Sequence, residues 1–172
     1  MLINHKKKRI FLHNPKCAGM SFSKYLIEEH GYFFVGDKEY PYEYEYDYKW
    51  NIEPLPVGYF TFCVARNPIE RFKSYYRYVV QHQQKYNGNI NDFVKEHYKD
   101  LEQQYRYLQN SNYVIRYDML YKYDTHLGYL LPNRYCLNKT ENMNVSLSDE
   151  SMAILLQHYR LDYKHMQLLG LL

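Results

Sequence analysis

Cysteine is scarce here: Cys17, Cys63 and Cys136 are the only three in 172 residues. An odd number with no metal-like spacing argues against a disulfide framework or a zinc site, and Cys63 and Cys136 fall in strand-like segments, so buried thiols are expected. Long apolar runs are also missing. No stretch reaches the roughly 20 residues of a membrane span, and no apolar signal core follows the basic start, so the chain as it stands is expected to be soluble and cytoplasmic. Charge of one sign is modest as well. Lys and Arg number 22 against 19 Asp and Glu, a formal +3, mostly from local groups such as Lys6-Lys7-Lys8-Arg9, which is too little to argue for nucleic acid. No Gly-x-x-x-x-Gly-Lys-Ser/Thr sequence occurs, which removes the usual phosphate loop of nucleotide kinases.

What is abundant is tyrosine, 23 residues, and with many Asn and Lys beside it this reads as a compositional bias that dilutes aromatic arguments. The length and the even composition predict a single domain over residues 1–172. Strand-like and helix-like patterns alternate along it.

The most informative stretch follows the apolar run Ile10-Phe11-Leu12: His13-Asn14-Pro15-Lys16-Cys17-Ala18-Gly19-Met20-Ser21. It reads as strand, anion-binding loop and helix. Ala18 and Gly19 carry almost no side chain, so the backbone N–H groups of residues 18–21 can close on an anion at a helix N-terminus, and Lys16 adds a full positive charge. A phosphate or sulfate cradle is the expected result.

A second unit repeats the plan. Tyr59-Phe60-Thr61-Phe62-Cys63-Val64 is an apolar, β-branched and aromatic run that ends at Arg66-Asn67-Pro68-Ile69-Glu70-Arg71-Phe72-Lys73-Ser74-Tyr75-Tyr76. Asn67 suits an N-cap, Pro68 the first helical position and Glu70 the third, as in a capping box. Ile69, Phe72, Tyr76, Val79 and Val80 make an apolar stripe at helical spacing. Arg66 and Ser74 are then free to face the first loop across a shared crevice.

Together the two units resemble the 5′-phosphosulfate loop and the 3′-phosphate motif of sulfotransferases that use 3′-phosphoadenosine 5′-phosphosulfate (PAPS), above all the carbohydrate (heparan and chondroitin-type) enzymes. Pro15-Lys16-x-Ala18-Gly19-x-Ser21 matches the first motif and Arg66-x-Pro68-x-x-Arg71-x-x-Ser74-x-Tyr76 the second. The segments Tyr135-Cys136-Leu137-Asn138-Lys139-Thr140 and Arg116-Tyr117-Asp118 resemble later parts of the same family. The resemblance implies that Lys16, Cys17, Ala18, Gly19, Met20 and Ser21 hold the phosphosulfate, that Arg66 and Ser74 hold the 3′-phosphate, and that Lys139 and Thr140 close over the nucleotide. Met20 departs from the hydroxyl residue usual at its position, with Ser21 beside it as a substitute, and Asn67 stands for the more usual Asp.

The coarse reading places a strand near residues 9–13, a helix near 20–30, a short strand over 32–35, the strand and long helix of the second unit, a helix capped by Asn91, a helical segment through Leu101 and Leu108, a strand over 113–117 and a last strand over 134–137. Ser148 caps a closing helix whose core stripe is Met152, Leu155, Leu156 and Tyr159. This pattern predicts an α/β domain, a three-layer P-loop-like fold with a central parallel sheet flanked by helices, with both anion loops at strand C-terminal ends.

On this reading Lys16 is catalytic: it neutralises charge on the oxygen that bridges phosphorus and sulfur. The acceptor is a hydroxyl, most naturally of a carbohydrate, and no metal is expected. The general base is open among Glu39, Glu43, Glu45 and Asp47 in the alternating aromatic-acidic run 40–50, and His13 and His82. Two other readings stay open: a nucleotide-binding or interaction module without turnover, and a nucleotide kinase. The oligomeric state cannot be read from the residues.

Overall fold

The computed structural model describes residues 1–35, 55–122, 124–136, 143 and 145–172. Strands β1 (Leu2–Asn4), β2 (Arg9–Leu12), β3 (Phe33–Phe34), β4 (Phe60–Ala65) and β5 (Tyr113–Arg116) form one sheet in the order β3-β1-β2-β4-β5. The chain passes from β2 through helix α1 (Gly19–His30) to β3, and from β4 into α2 (Pro68–Tyr78), which runs on into a π turn (Val79–Gln83). Helices α3 (Ile90–His97) and α4 (Tyr105–Leu108) precede β5, and α5 (Asp149–His158) and α6 (Arg160–Leu168) follow it. No helix among the described residues is long and apolar enough to cross a membrane.

Alternation along the strands decides what each face buries. On one face Phe11, Phe62, Val64 and Ile115 pack against Phe22, Tyr25 and Leu26 of α1 and against Leu127, Tyr129 and Leu131 of the segment after β5. On the other, Ile10, Leu12, Cys63 and Ala65 meet Tyr107 and Leu108 of α4 and Met166 of α6. Helices therefore cover both sides of the sheet. A third cluster joins α2, α3 and α5 through Phe72, Tyr76, Phe93, Val94, Leu155 and Tyr159.

The sheet is mixed rather than parallel throughout. β2 pairs in parallel with β4, and β4 with β5, but β1 runs antiparallel to both β2 and β3. The reason lies in Lys6-Lys7-Lys8: these residues form the turn between β1 and β2, with Lys8 in the left-handed region at φ 49, and a connection so short returns only antiparallel.

Three further expectations change. Residues Asn133–Tyr135 form a 3-10 turn where a last strand was expected, because the N–H groups of Tyr135 and Cys136 donate back to the carbonyls of Pro132 and Asn133. The cap of α3 is Asn89, whose side chain accepts from Asn91 N and Asp92 N. Asn91 instead accepts from Ser148 N, tying the start of α5 to α3. The closing helix does begin after Ser148, but it breaks at Tyr159, and Leu156 of the expected core stripe is 45% exposed.

Candidate functional site

β2 and β4 are neighbours in parallel register, with Leu12 beside Cys63, so the loops that leave their C-terminal ends emerge side by side. β5 lies next to β4 with Arg116 beside Ala65, which brings Tyr117 to the same edge. Three successive strand ends thus deliver Lys16, Arg66 and Tyr117 to one place, where open α/β sheets bind ligands.

The first loop has an unusual backbone. Lys16 and Ala18 both adopt positive φ, 63 and 57, on either side of the fully buried Cys17. Non-glycine residues take up this conformation at a cost, and such turns gather N–H groups into concave anion-binding shapes. Ala18 is the N-cap of α1 and has no side-chain oxygen to occupy the first helical turn, which Gly19, Met20 and Ser21 make up. Gly19 is required for another reason. A Cβ there would lie 2.1 Å from His13 Nε2, so the imidazole packs directly on the glycine backbone.

His13 is accordingly buried and its pKa is held down at about 3, first by burial and then by nearby positive charge including Lys16. It is a neutral packing group of the loop, poorly placed to take a proton from an exposed acceptor. The Cys17 thiol, pushed up to about 11 chiefly by burial, is an inert core group; Cys63 is a buried thiol as expected, whereas Cys136 is only half-buried.

The second unit grips the first. Asn67 accepts from Ile69 N and Glu70 N and starts α2 as expected. From that helix Arg71, fully buried, donates through Nε to the Pro15 carbonyl at 2.8 Å and through Nη1 to the Glu102 carbonyl at 2.7 Å. Arg71 is thus a structural clamp on the loop. Arg66 donates to the Lys16 carbonyl at 3.3 Å, and its guanidinium carbon sits 4.3 Å from the centre of the Tyr117 ring.

Gln104, with no signal in the sequence pattern, completes the frame. It donates to the Arg66 carbonyl at 2.7 Å and accepts from Asn14 Nδ2, which also donates to the Val64 carbonyl. Asp162 of α6 accepts from the N–H groups of Gln104 and Tyr105, and its pKa is raised by burial despite the nearby Arg71. Buried polar atoms so paired hold one geometry.

Lys16 is half-buried above this frame with its ammonium 3.6 Å from the centre of the Tyr78 ring. Its pKa falls to about 7, through burial first and then repulsion by Arg66 and Arg71. Among the described residues no carboxylate lies within ion-pair distance of Lys16 or Arg66. Ser74 lies on α2 between Arg71 and Tyr78, at helical spacing that puts the three on one face.

No family model, curated protein or solved structure matches this chain.

Of the residues singled out from sequence, Lys16, Cys17, Ala18, Gly19, Met20 and Ser21 make up the loop and the first turn of α1, Arg66 reaches the Lys16 carbonyl, and Ser74 lies on α2 three residues after Arg71. Lys139 and Thr140, and Glu39, Glu43, Glu45 and Asp47 among the base candidates, lie outside the described residues. His82 is exposed on the π turn, its ring centre 5.6 Å from that of Tyr78. Among the described residues no group of three His, Cys, Asp or Glu is placed to hold a metal ion.

Proposed function

We propose that this protein binds PAPS and transfers its sulfuryl group to a hydroxyl, most naturally of a carbohydrate, in a three-layer P-loop-like fold. The observation that carries this reading is the cation pair of Lys16, on a left-handed loop, and Arg66, at the adjacent strand end, with no described carboxylate to neutralise it. A lysine whose pKa is lowered to about 7, by burial first and then by Arg66 and Arg71, is one that an anion beside it would return to full charge. Two phosphate groups and a sulfuryl group would supply that negative charge.

In this assignment the first turn of α1 and Lys16 hold the phosphosulfate, while Arg66 and Ser74 hold the 3′-phosphate. The acceptor oxygen attacks sulfur, the bond from sulfur to the bridging oxygen breaks, and its electron pair stays on the 5′-phosphate beside Lys16. The acceptor proton passes to a base; of the two histidine candidates, exposed His82 is better placed than buried His13. Arg71 and Gln104 act only through the loop they hold.

Calorimetric titration with 3′-phosphoadenosine 5′-phosphate, ADP and ATP tests the donor site. The expected result is selective binding of the 3′-phosphorylated nucleotide that weakens at least tenfold in Arg66→Ala, a loss of about 1.4 kcal/mol or more. Equal binding of ADP, or none of either, would sink the assignment. Met20, in place of a hydroxyl residue, favours one rival, a nucleotide-binding module without turnover; binding with no release of sulfate or sulfated product from PAPS would select it.

A further inference from the structure

Burial, Arg66 and Arg71 oppose the charge on Lys16, the neighbouring Cys17 acts the other way, and buried His13 beneath the loop is neutral. Among the described residues the Tyr78 ring faces the Lys16 ammonium at short range, 3.6 Å away, well inside the reach of a cation-π contact. Tyr78 ends α2, seven residues after the clamp Arg71, and the π turn Val79–Gln83 begins immediately after it. π turns are rare and cluster at functional sites. This one carries His82 to the Tyr78 ring, so the ring neighbours both the lysine and an exposed imidazole.

We infer that Tyr78 is a positioning residue: its ring seats the Lys16 ammonium over the loop, keeps it charged against Arg66 and Arg71, and yields it to the incoming anion. The ring is neutral, so it stabilises the cation without closing the site to an anion as a carboxylate would. A carboxylate at this place would form an ion pair that the ligand must break. The anion's identity as PAPS rests on the function proposed above, but the seating of Lys16 by the ring does not.

The experiment uses the full chain labelled with ¹³C-lysine, with Lys16→Arg to assign the Lys16 signal. Its titration midpoint is read by NMR in the wild type, in Tyr78→Phe, which keeps the ring, and in Tyr78→Leu, which removes it. A cation-π contact of this kind corresponds to roughly 0.5 to 1.5 pH units. Tyr78→Leu should therefore move the Lys16 midpoint down by that amount, with Tyr78→Phe close to wild type. A role confined to packing would change thermal stability in both variants without moving the Lys16 midpoint in a ring-dependent way.

The same three proteins are titrated with 3′-phosphoadenosine 5′-phosphate between pH 6 and 9. The pH above which affinity falls should shift down in Tyr78→Leu alone, in step with the NMR midpoint. An unchanged midpoint in Tyr78→Leu, or an equal shift in Tyr78→Phe, overturns the inference. A ring-dependent midpoint in a protein that binds no 3′-phosphorylated nucleotide upholds the seating of Lys16 and sinks the donor assignment instead.

Discussion

At residue scale, a missing methyl group decides how the anion loop closes. The His13 ring lies where a Cβ on Gly19 would be, so Gly19→Ala must push the imidazole off the loop. Overpacking of this kind costs about 1–3 kcal/mol, to be read in denaturant unfolding. His13 also leaves a signature in acid. Its folded pKa, about 3, lies below the ordinary 6.5, so between those values the unfolded chain binds a proton the folded protein refuses. Stability from this group is complete above pH 6.5 and falls as pH drops toward 3, by up to about 1.4 kcal/mol per pH unit. His13→Gln should flatten the slope of stability against pH by nearly one proton over that window.

At the scale of elements, the two strand-loop-helix units were legible in the sequence because their signals are local. Asn67 followed by Pro68 marks a helix start whatever surrounds it, and of the expected stripe Ile69, Phe72, Tyr76 and Val79 are buried, with Val80 half-buried beside them. Asn67→Ala should cost about 1 kcal/mol by leaving the first turn uncapped. Phe72→Ala, at the centre of the α2, α3 and α5 cluster, should cost about 3–5 kcal/mol. Thermal or denaturant unfolding of the two variants measures the difference between a cap and a core.

What was illegible depends on distant partners. β1 is three residues long and acquires its meaning from β2 on one side and β3 on the other. Gln104 falls inside the helical segment expected through Leu101 and Leu108, whereas the helix starts only at Tyr105, and the role of Gln104 appears only when Asn14, Arg66 and Asp162 converge on it. Arg71 was visible as a motif residue, but its complete burial was not, since a helix pattern does not say that a cation will sit under a loop 56 residues earlier in sequence. For the candidate site, then, the loop residues were readable and the frame that holds them was not.

At the scale of the whole molecule, protection should follow position in the sheet. β4 has a strand on each side and helices over both faces, whereas β3 and β5 are edges. Native-state hydrogen exchange should find the amides of Phe62 to Val64 among the slowest, with those of β3 opening first. Faster exchange in β4 than in β5 would contradict this layering.

Arg71 ties the carbonyl of Pro15 to that of Glu102 from the middle of a third segment. A chain that has assembled only two of these three segments leaves a cation or a carbonyl stranded away from water, so partly folded forms lack a shaped cradle. Affinity for the anion and the last step of folding should therefore vanish together on heating, and a destabilised variant should lose binding as an all-or-none fraction of molecules rather than by gradual weakening in each.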